Sequence, residues 1–228
     1  MKEDKKIIKI GVIDSGIDLN FIEEHKIQIV QAGNFQVNFA EKTIESEIYD
    51  SSELRYPDCK IADQNGHGTE VTSIIFDQLN EKFDISFFIA KILDENKESN
   101  IASFYSALQW MTEVAKPEYL NLSLGTSDKK YSDLIYSLTE KANNNGIKIF
   151  CAASGVKSYP AEFSTVTTVG DKGVVQSGEP GKKIDIQVDD REVKLYSKGR
   201  WIKKTMFSSY ASPLALCRQI YNEHKSVP

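Results

Sequence analysis

Apolar positions along this chain fall into two alternating rhythms. Residues 6–13 (KIIKIGVI) form a short, mostly apolar run that ends at Asp14. Residues 67–79 instead carry Val71, Ile74, Ile75 and Leu79 at helical spacing, and 83–93 (FDISFFIAKIL) read as a buried strand. Ile101, Tyr105, Leu108, Met111 and Ala115 mark a second helical stripe over 101–116, closed by Pro117. Tyr119–Leu124 is strand-like and stops at Gly125. Over 131–145 the spacing puts Leu134, Leu138 and Ala142 on one helix face, with Gly146 as the stop, and Ile147–Ala153 is apolar again.

Strands that alternate with helices predict an α/β fold: a doubly wound, mostly parallel sheet with helices on both faces and right-handed crossovers. In such sheets ligands bind outside the carboxyl ends of the strands. Asp14, Gly125 and Ser154 all fall at predicted strand ends and should share that crevice. Two regions break the rhythm. Residues 33–62 are polar and acidic (Glu41, Glu45, Glu47, Asp50, Glu53, Asp58) and read as a long excursion between the Asp14 and His67 elements. Within 171–206, KIDIQV and EVKLY around Asp189-Asp190 suggest a C-terminal antiparallel hairpin ahead of a last helix beginning near Ser208. With 228 residues, a single domain over 1–228 is expected.

Composition excludes more than it selects. The chain is 40% apolar and 27% charged, as ordinary globular chains are. A net charge of −5 argues against nucleic acid as a main partner, because phosphate binding needs a cationic surface. No window approaches the ~18 consecutive apolar residues of a membrane span, so no membrane partner is expected. The opening MKEDKKIIKIGVID is a poor signal peptide, since its apolar run contains Asp14. Cys59, Cys151 and Cys217 are an odd, scattered set, which suggests buried free thiols in a reducing compartment; the expected location is cytoplasmic.

Three residues carry the candidate chemistry. Asp14 follows an apolar strand beside glycine, where an aspartate alone would read as a turn or cap residue. His67 stands between two glycines at a helix start, a poor place for a core histidine. Ser209, alone, would read as a helix N-cap. Together, in the order Asp, His, Ser with the sheet pattern between them, they predict a catalytic triad. Ser209 would be the nucleophile, His67 the base that takes its proton and returns it to the leaving amine, and Asp14 the group that holds the imidazole.

These stretches resemble the motifs of the subtilisin-like serine proteases, the subtilases. Gly-Val-Ile-Asp14-Ser-Gly-Ile-Asp resembles the family's Asp box, Asn-Gly-His67-Gly-Thr its His box, and Ser-Ser209-Tyr-Ala-Ser-Pro its Ser box. Asn121-Leu-Ser123-Leu124-Gly125 resembles the segment whose backbone pairs with an extended substrate. Ile147–Ala153 with Tyr159-Pro160-Ala161 resembles the wall of the primary specificity pocket. The resemblance therefore implies Ser123, Leu124, Gly125, Ala152, Ala153 and Ser158 as substrate-binding residues, with Lys157 near the pocket rim.

The chain also departs from the family's pattern. Glu70 stands where the His box usually has a second histidine, and Phe207-Ser208-Ser209-Tyr210 replaces Gly-Thr-Ser-Met. Phe207 in place of glycine is expected to alter backbone approach beside the nucleophile. The pocket-wall segment normally ends Ala-Gly-Asn, its amide donating to the oxyanion, whereas here it reads Ala153-Ser154-Gly155. Ser154 and Gly155 are thus the oxyanion candidates, and losing such a donor costs on the order of 10²–10³ in turnover.

The resemblance implies a serine endopeptidase acting on peptide or protein substrates; the compact stretch from His67 to Lys91 holds no oxygen-rich loop resembling the family's calcium sites, so no metal or cofactor is expected. The first strand begins at residue 6 and 19 residues follow Ser209, so a minimal cytosolic form without prodomain is expected. Such a form should have narrow specificity, as in removal of a leader from a precursor peptide. Two alternatives stand beside it: a weakened pseudoprotease acting as a peptide-binding or regulatory module, and a peptide ligase or cyclase using the same acyl-enzyme. An activating partner protein is a further possibility that the departures raise.

Overall fold

A computed structural model of the chain describes residues 5–38, 41, 43–54, 59–94, 98–153, 157–175 and 183–225. In chain order the elements are β1 (Ile7–Asp14), α1 (Leu19–His25), β2 (Gln28–Asn38), β3 (Thr43–Asp50), α2 (His67–Leu79), β4 (Asp84–Lys91) and α3 (Ile101–Trp110). There follow β5 (Tyr119–Leu122), α4 (Ser132–Asn144), β6 (Lys148–Ala152), β7 (Thr167–Asp171), α5 (Lys172–Val175), β8 (Ile186–Val188), β9 (Glu192–Ser197), β10 (Arg200–Thr205) and α6 (Ser208–His224). Eight strands form one sheet in the order β3-β2-β4-β1-β5-β6-β7-β8, parallel throughout except for β3 on β2.

The period of two along the central strands feeds two cores. On β1, Ile8, Ile10 and Val12 enter the layer shared with α1, α2 and α6, while Ile13 enters the layer under α3 and α4. On β4, Ile85, Phe87 and Ile89 alternate with Phe88 and Ala90 in the same way. Strands buried on both faces read as continuous apolar runs, which is why 6–13 and 83–93 were legible. The α3 stripe extends as predicted, its last turn widening into a π-type turn at Met111–Ala115 before Pro117.

Three expectations are corrected. The stretch 33–62 is no simple excursion: it holds β3 and the second half of β2, an antiparallel pair at the sheet edge, with Gly33 opposite Ile48 and Asn38 opposite Thr43. An edge strand exposed on one side tolerates the charged alternation Thr-Ile-Glu-Ser-Glu-Ile that masked it. The hairpin exists but pairs β9 with β10, and β8 (within KIDIQV) joins the main sheet instead, parallel to β7. Its turn is Lys198-Gly199, both with positive φ (50° and 76°), the primed geometry that matches strand twist; Asp189-Asp190 is a crossing between sheets. On α4 the inward face is Ile135, Leu138, Thr139 and Ala142, and Leu134 points to solvent.

The far end of α6 is pinned where strands β5 and β6 begin. The Glu223 carboxylate accepts from Tyr119 Oη, from Lys148 Nζ at 2.5 Å and from Gln219 Nε2 at 2.7 Å. Burial pushes the Glu223 carboxyl up, but the bonds from Lys148, Tyr119 and Gln219 outweigh it and hold it down at about 2. A carboxyl with a depressed folded-state pKa contributes stability above its ordinary value of 4.5 and loses it as pH falls toward about 2. Glu223→Gln should therefore be less stable than the parent at pH 7, and the gap should close between pH 4.5 and 2. Denaturant titrations of both proteins at pH 7 and pH 3 check this; an equal gap at both pH values refutes it.

Candidate active site

The site is assembled at the carboxyl ends of β1 and β5 and the first turns of α2 and α6. Asp14 ends β1 and is 1% exposed; its main-chain carbonyl accepts from Ile92 N at 2.8 Å just past β4. Its carboxylate accepts from Ser15 N at 2.8 Å and from His67 Nδ1, 2.8 Å to Oδ1 and 2.9 Å to Oδ2. With Nδ1–H donating to Asp14, the lone pair of the neutral imidazole is on Nε2. Sequence reasoning put these two residues 53 positions apart in one site, and they are in direct contact.

Local chemistry explains why the contact forms. A Cβ on Gly68 would stand 2.3 Å from the Gly16 carbonyl oxygen, so only glycine lets the first turn of α2 approach the loop after β1 this closely. Gly16 itself has φ +106°, with the Ile61 carbonyl 2.2 Å from where its Cβ would be. Asp63 then laces the junction: its carboxylate accepts from Ser15 Oγ, Gly66 N, Thr69 N and Thr69 Oγ1, the last at 2.6 Å. An aspartate accepting from the first amides of α2 also suits the positive end of the helix dipole. Gly68 N donates to Ser15 Oγ at 2.9 Å.

Ser209 is the second residue of α6, and its placement depends on Pro213. Proline lacks an amide hydrogen, so the i−4 carbonyl, that of Ser209, has no helical partner. Ser123 Oγ donates to that carbonyl at 2.8 Å. Ser123 in turn accepts from Asn121 Nδ2 (3.0 Å), and Ser212 Oγ donates to Asn121 Oδ1 (2.8 Å). The first turn of α6 is thereby tied to the end of β5. Sequence reasoning placed Asn121 in the substrate-pairing segment but gave no role to its side chain or to that of Ser212; an Asn within the apolar run YLNL was the available signal for the first.

His67, Ser209, Ser123, Leu124 and Gly125 line one cleft of about 580 Å³. Its other wall is Ile92, Leu93 and Glu98–Ile101 with Phe104. The remaining substrate-binding candidates do not reach it. Ala152 ends β6, the amide of buried Ala153 donates to the Val169 carbonyl (2.7 Å), and buried Ser158 lies against Gly125. Thr126 and Tyr159 exchange amide-to-carbonyl bonds of 2.9 and 2.8 Å, so this second segment braces the cleft wall. Ser154 and Gly155, the oxyanion candidates, lie outside the described residues. Cys151 packs beneath: burial pushes its thiol up to about 12, leaving it protonated and unreactive at neutral pH.

The two departures in the His and Ser boxes meet each other. The Tyr210 ring stacks on His67 with centroids 5.9 Å apart and planes 24° apart, and Tyr210 Oη donates to Glu70 Oε2 at 2.5 Å. The other Glu70 oxygen accepts from Ser197 Oγ (2.7 Å, β9) and Lys204 Nζ (2.5 Å, β10). Burial pushes Glu70 up, but bonds from Lys204, Tyr210 and Ser197 win and hold it below its ordinary range. Burial and the Glu70 carboxylate together raise the Tyr210 hydroxyl. A phenol-sized ring and a carboxylate thus occupy linked positions where the family pattern has methionine and histidine.

Because the two groups satisfy each other, their losses should not add. Glu70→Gln is expected to cost about 2–4 kcal/mol, since it leaves Lys204 without its counter-charge. Tyr210→Phe should cost about 1–3 kcal/mol by leaving a buried carboxylate oxygen short of a donor. The double variant should fall short of the sum by about 1 kcal/mol or more in urea unfolding. Strict additivity would refute the linkage.

Comparison with known proteins agrees with this architecture. The family model described as "Subtilase family" matches residues 5–188, a span that includes Asp14, His67 and Ser123–Gly125 and ends before Ser209. No curated protein matches the sequence. Among solved structures, a cold-adapted subtilisin-like serine proteinase superposes with a TM-score of 0.66 at 19% identity, over 95% of this chain and 76% of that one. The structure titled "Sphericase" superposes with a TM-score of 0.69 at 16% identity, over 99% of this chain and 82% of that one. At these identities the superpositions speak for the fold, while the family model covers well over half of the chain. The chain belongs to the subtilase family of serine-type endopeptidases.

Proposed function

We propose that this protein hydrolyses peptide bonds with Asp14, His67 and Ser209 as its triad. The observation that carries the reading is the 2.8 Å bond from His67 Nδ1 to Asp14, with His67 and Ser209 lining one cleft. His67 Nε2 takes the Ser209 proton as Oγ attacks the substrate carbonyl, then returns it to the departing amine. Asp14 fixes the tautomer and stabilises the imidazolium. Ser123, Leu124 and Gly125 take the extended substrate on the acyl side, by main-chain pairing of the kind a strand end offers. The amides of Ser208 and Ser209 precede the first helical bonds of α6, which run from Tyr210 N and Ala211 N to the Phe207 carbonyl, and are the ones available to a developing oxyanion.

The finer reading is a selective endopeptidase, such as one that removes a leader from a precursor peptide. It is supported by the changed residues flanking the triad, Glu70, Phe207 and Tyr210, and by the apolar cleft wall of Ile101, Phe104 and Leu124. A selective enzyme should cut denatured casein at few sites; rapid degradation at many sites refutes selectivity.

Covalent labelling tests the triad directly. A fluorophosphonate probe should add one label per chain by intact mass, and Ser209→Ala should abolish it. Asp14→Asn should lower peptide turnover by on the order of 10⁴ by stabilising the wrong imidazole tautomer. A folded protein that takes no label would overturn the triad and favour a peptide-binding role.

A further inference from the structure

Phe207 immediately precedes the nucleophile's helix and is 57% exposed. Nothing in the fold demands an aromatic ring there. Its backbone is extended (φ −134°, ψ 163°), and it caps α6 only through its carbonyl, which accepts from Tyr210 N and Ala211 N at 2.9 Å. Any residue could supply those bonds. A large apolar ring left in water returns nothing to folding through burial.

Its position suggests what the ring meets. The Phe207 ring lies 6.2 Å from that of Tyr210, which lies 5.9 Å from that of His67. An aromatic row therefore runs from the imidazole outward to solvent. Neither Phe207 nor Tyr210 is among the described residues lining the cleft with Ser123–Gly125. That cleft holds the acyl side of a substrate; the leaving side must depart in another direction, past the imidazole that protonates it.

We propose that Phe207 is a specificity-determining contact for the leaving side, selecting an apolar or aromatic side chain among the first residues after the scissile bond. This deepens the proposed triad reading and rests on it. In the step concerned, Ser209 Oγ bonds to the carbonyl carbon, the C–N bond breaks, and the serine proton passes through His67 to the amine nitrogen. The freed amine belongs to the segment that Phe207 contacts, so the ring acts on acylation. It has no substrate partner during hydrolysis of the acyl-enzyme.

The experiment compares substrates that share one acyl part. One is a methyl ester, whose leaving group is methanol and carries no side chain. The others are quenched fluorescent peptides carrying Leu or Phe, or else Gly or Asp, at the first two leaving-side positions. The wild type should favour the apolar peptides by about tenfold or more in kcat/KM, the scale of one apolar subsite contact. In Phe207→Ala that preference should collapse, with the ratio of apolar-peptide to ester turnover falling about tenfold; Phe207→Leu should restore part of it. A wild type that hydrolyses the ester without any leaving-side preference overturns this inference and leaves the triad standing. So does a Phe207→Ala variant that loses ester and peptide turnover in equal proportion, which would assign the ring to positioning the site. A folded wild type that hydrolyses neither substrate overturns the triad and this inference with it.

Discussion

The candidate site depends on one close approach, that of the first turn of α2 to the loop after β1. Asp14 and His67 belong to elements separated by the whole β2–β3 edge pair, and they touch only because Gly68 lies against the Gly16 carbonyl. A side chain there would push the helix outward by more than the tolerance of a 2.8 Å hydrogen bond. Asp63 converts that proximity into a fixed geometry, since its carboxylate takes bonds from both sides of the junction. Position comes from the absence of a side chain, and rigidity from one half-buried acceptor.

Ser209, the proposed nucleophile, is held by the opposite device, a missing donor. Pro213 removes the amide that would have closed the helical bond to the Ser209 carbonyl, and Ser123 fills the vacancy. Proline inside a helix ordinarily costs ~3 kcal/mol or more. Here its position in the second turn limits the loss to one bond, which a side chain replaces. The consequence is functional: the residue that anchors Ser209 also lines the cleft. Ser209 and the cleft segment 123–125 therefore share one hydrogen-bonded frame, and a shift in one is felt by the other.

Much of this was legible in sequence because the central strands are buried on both faces and their apolar runs are unbroken. The glycines of Gly-His-Gly and the serine at a helix start are equally local signals. The edge strands were hidden for the converse reason: β3 is exposed along most of its length, its Ile44 and Ile48 included, so hydrophobicity carries no information there. The hairpin was misplaced by one strand because Asp189-Asp190 resembles a turn, whereas the positive φ at Lys198-Gly199 is visible only in the backbone. An Asn in an apolar run sets Asn121 apart, but its partner Ser212 lies 91 residues away, and that pairing no local pattern encodes.

The Glu70 constellation shows how residues that depart from a family pattern can be coherent. Taken singly, a glutamate buried in the first turns of α2 should be a liability, because desolvating a carboxylate costs several kcal/mol. Its three donors come from three different elements: Tyr210 on α6, Ser197 on β9 and Lys204 on β10. Ion pairing of this kind adds little net stability over an apolar packing of the same volume. What it adds is direction, since the carboxylate accepts only along its lone pairs and so fixes where the Tyr210 ring can lie. That ring is the surface on which the imidazole stacks. The hairpin ahead of α6 thus reaches His67 through one carboxylate and one phenol, so that Ser197 and Lys204 help set the geometry beside the imidazole from outside the stacked pair.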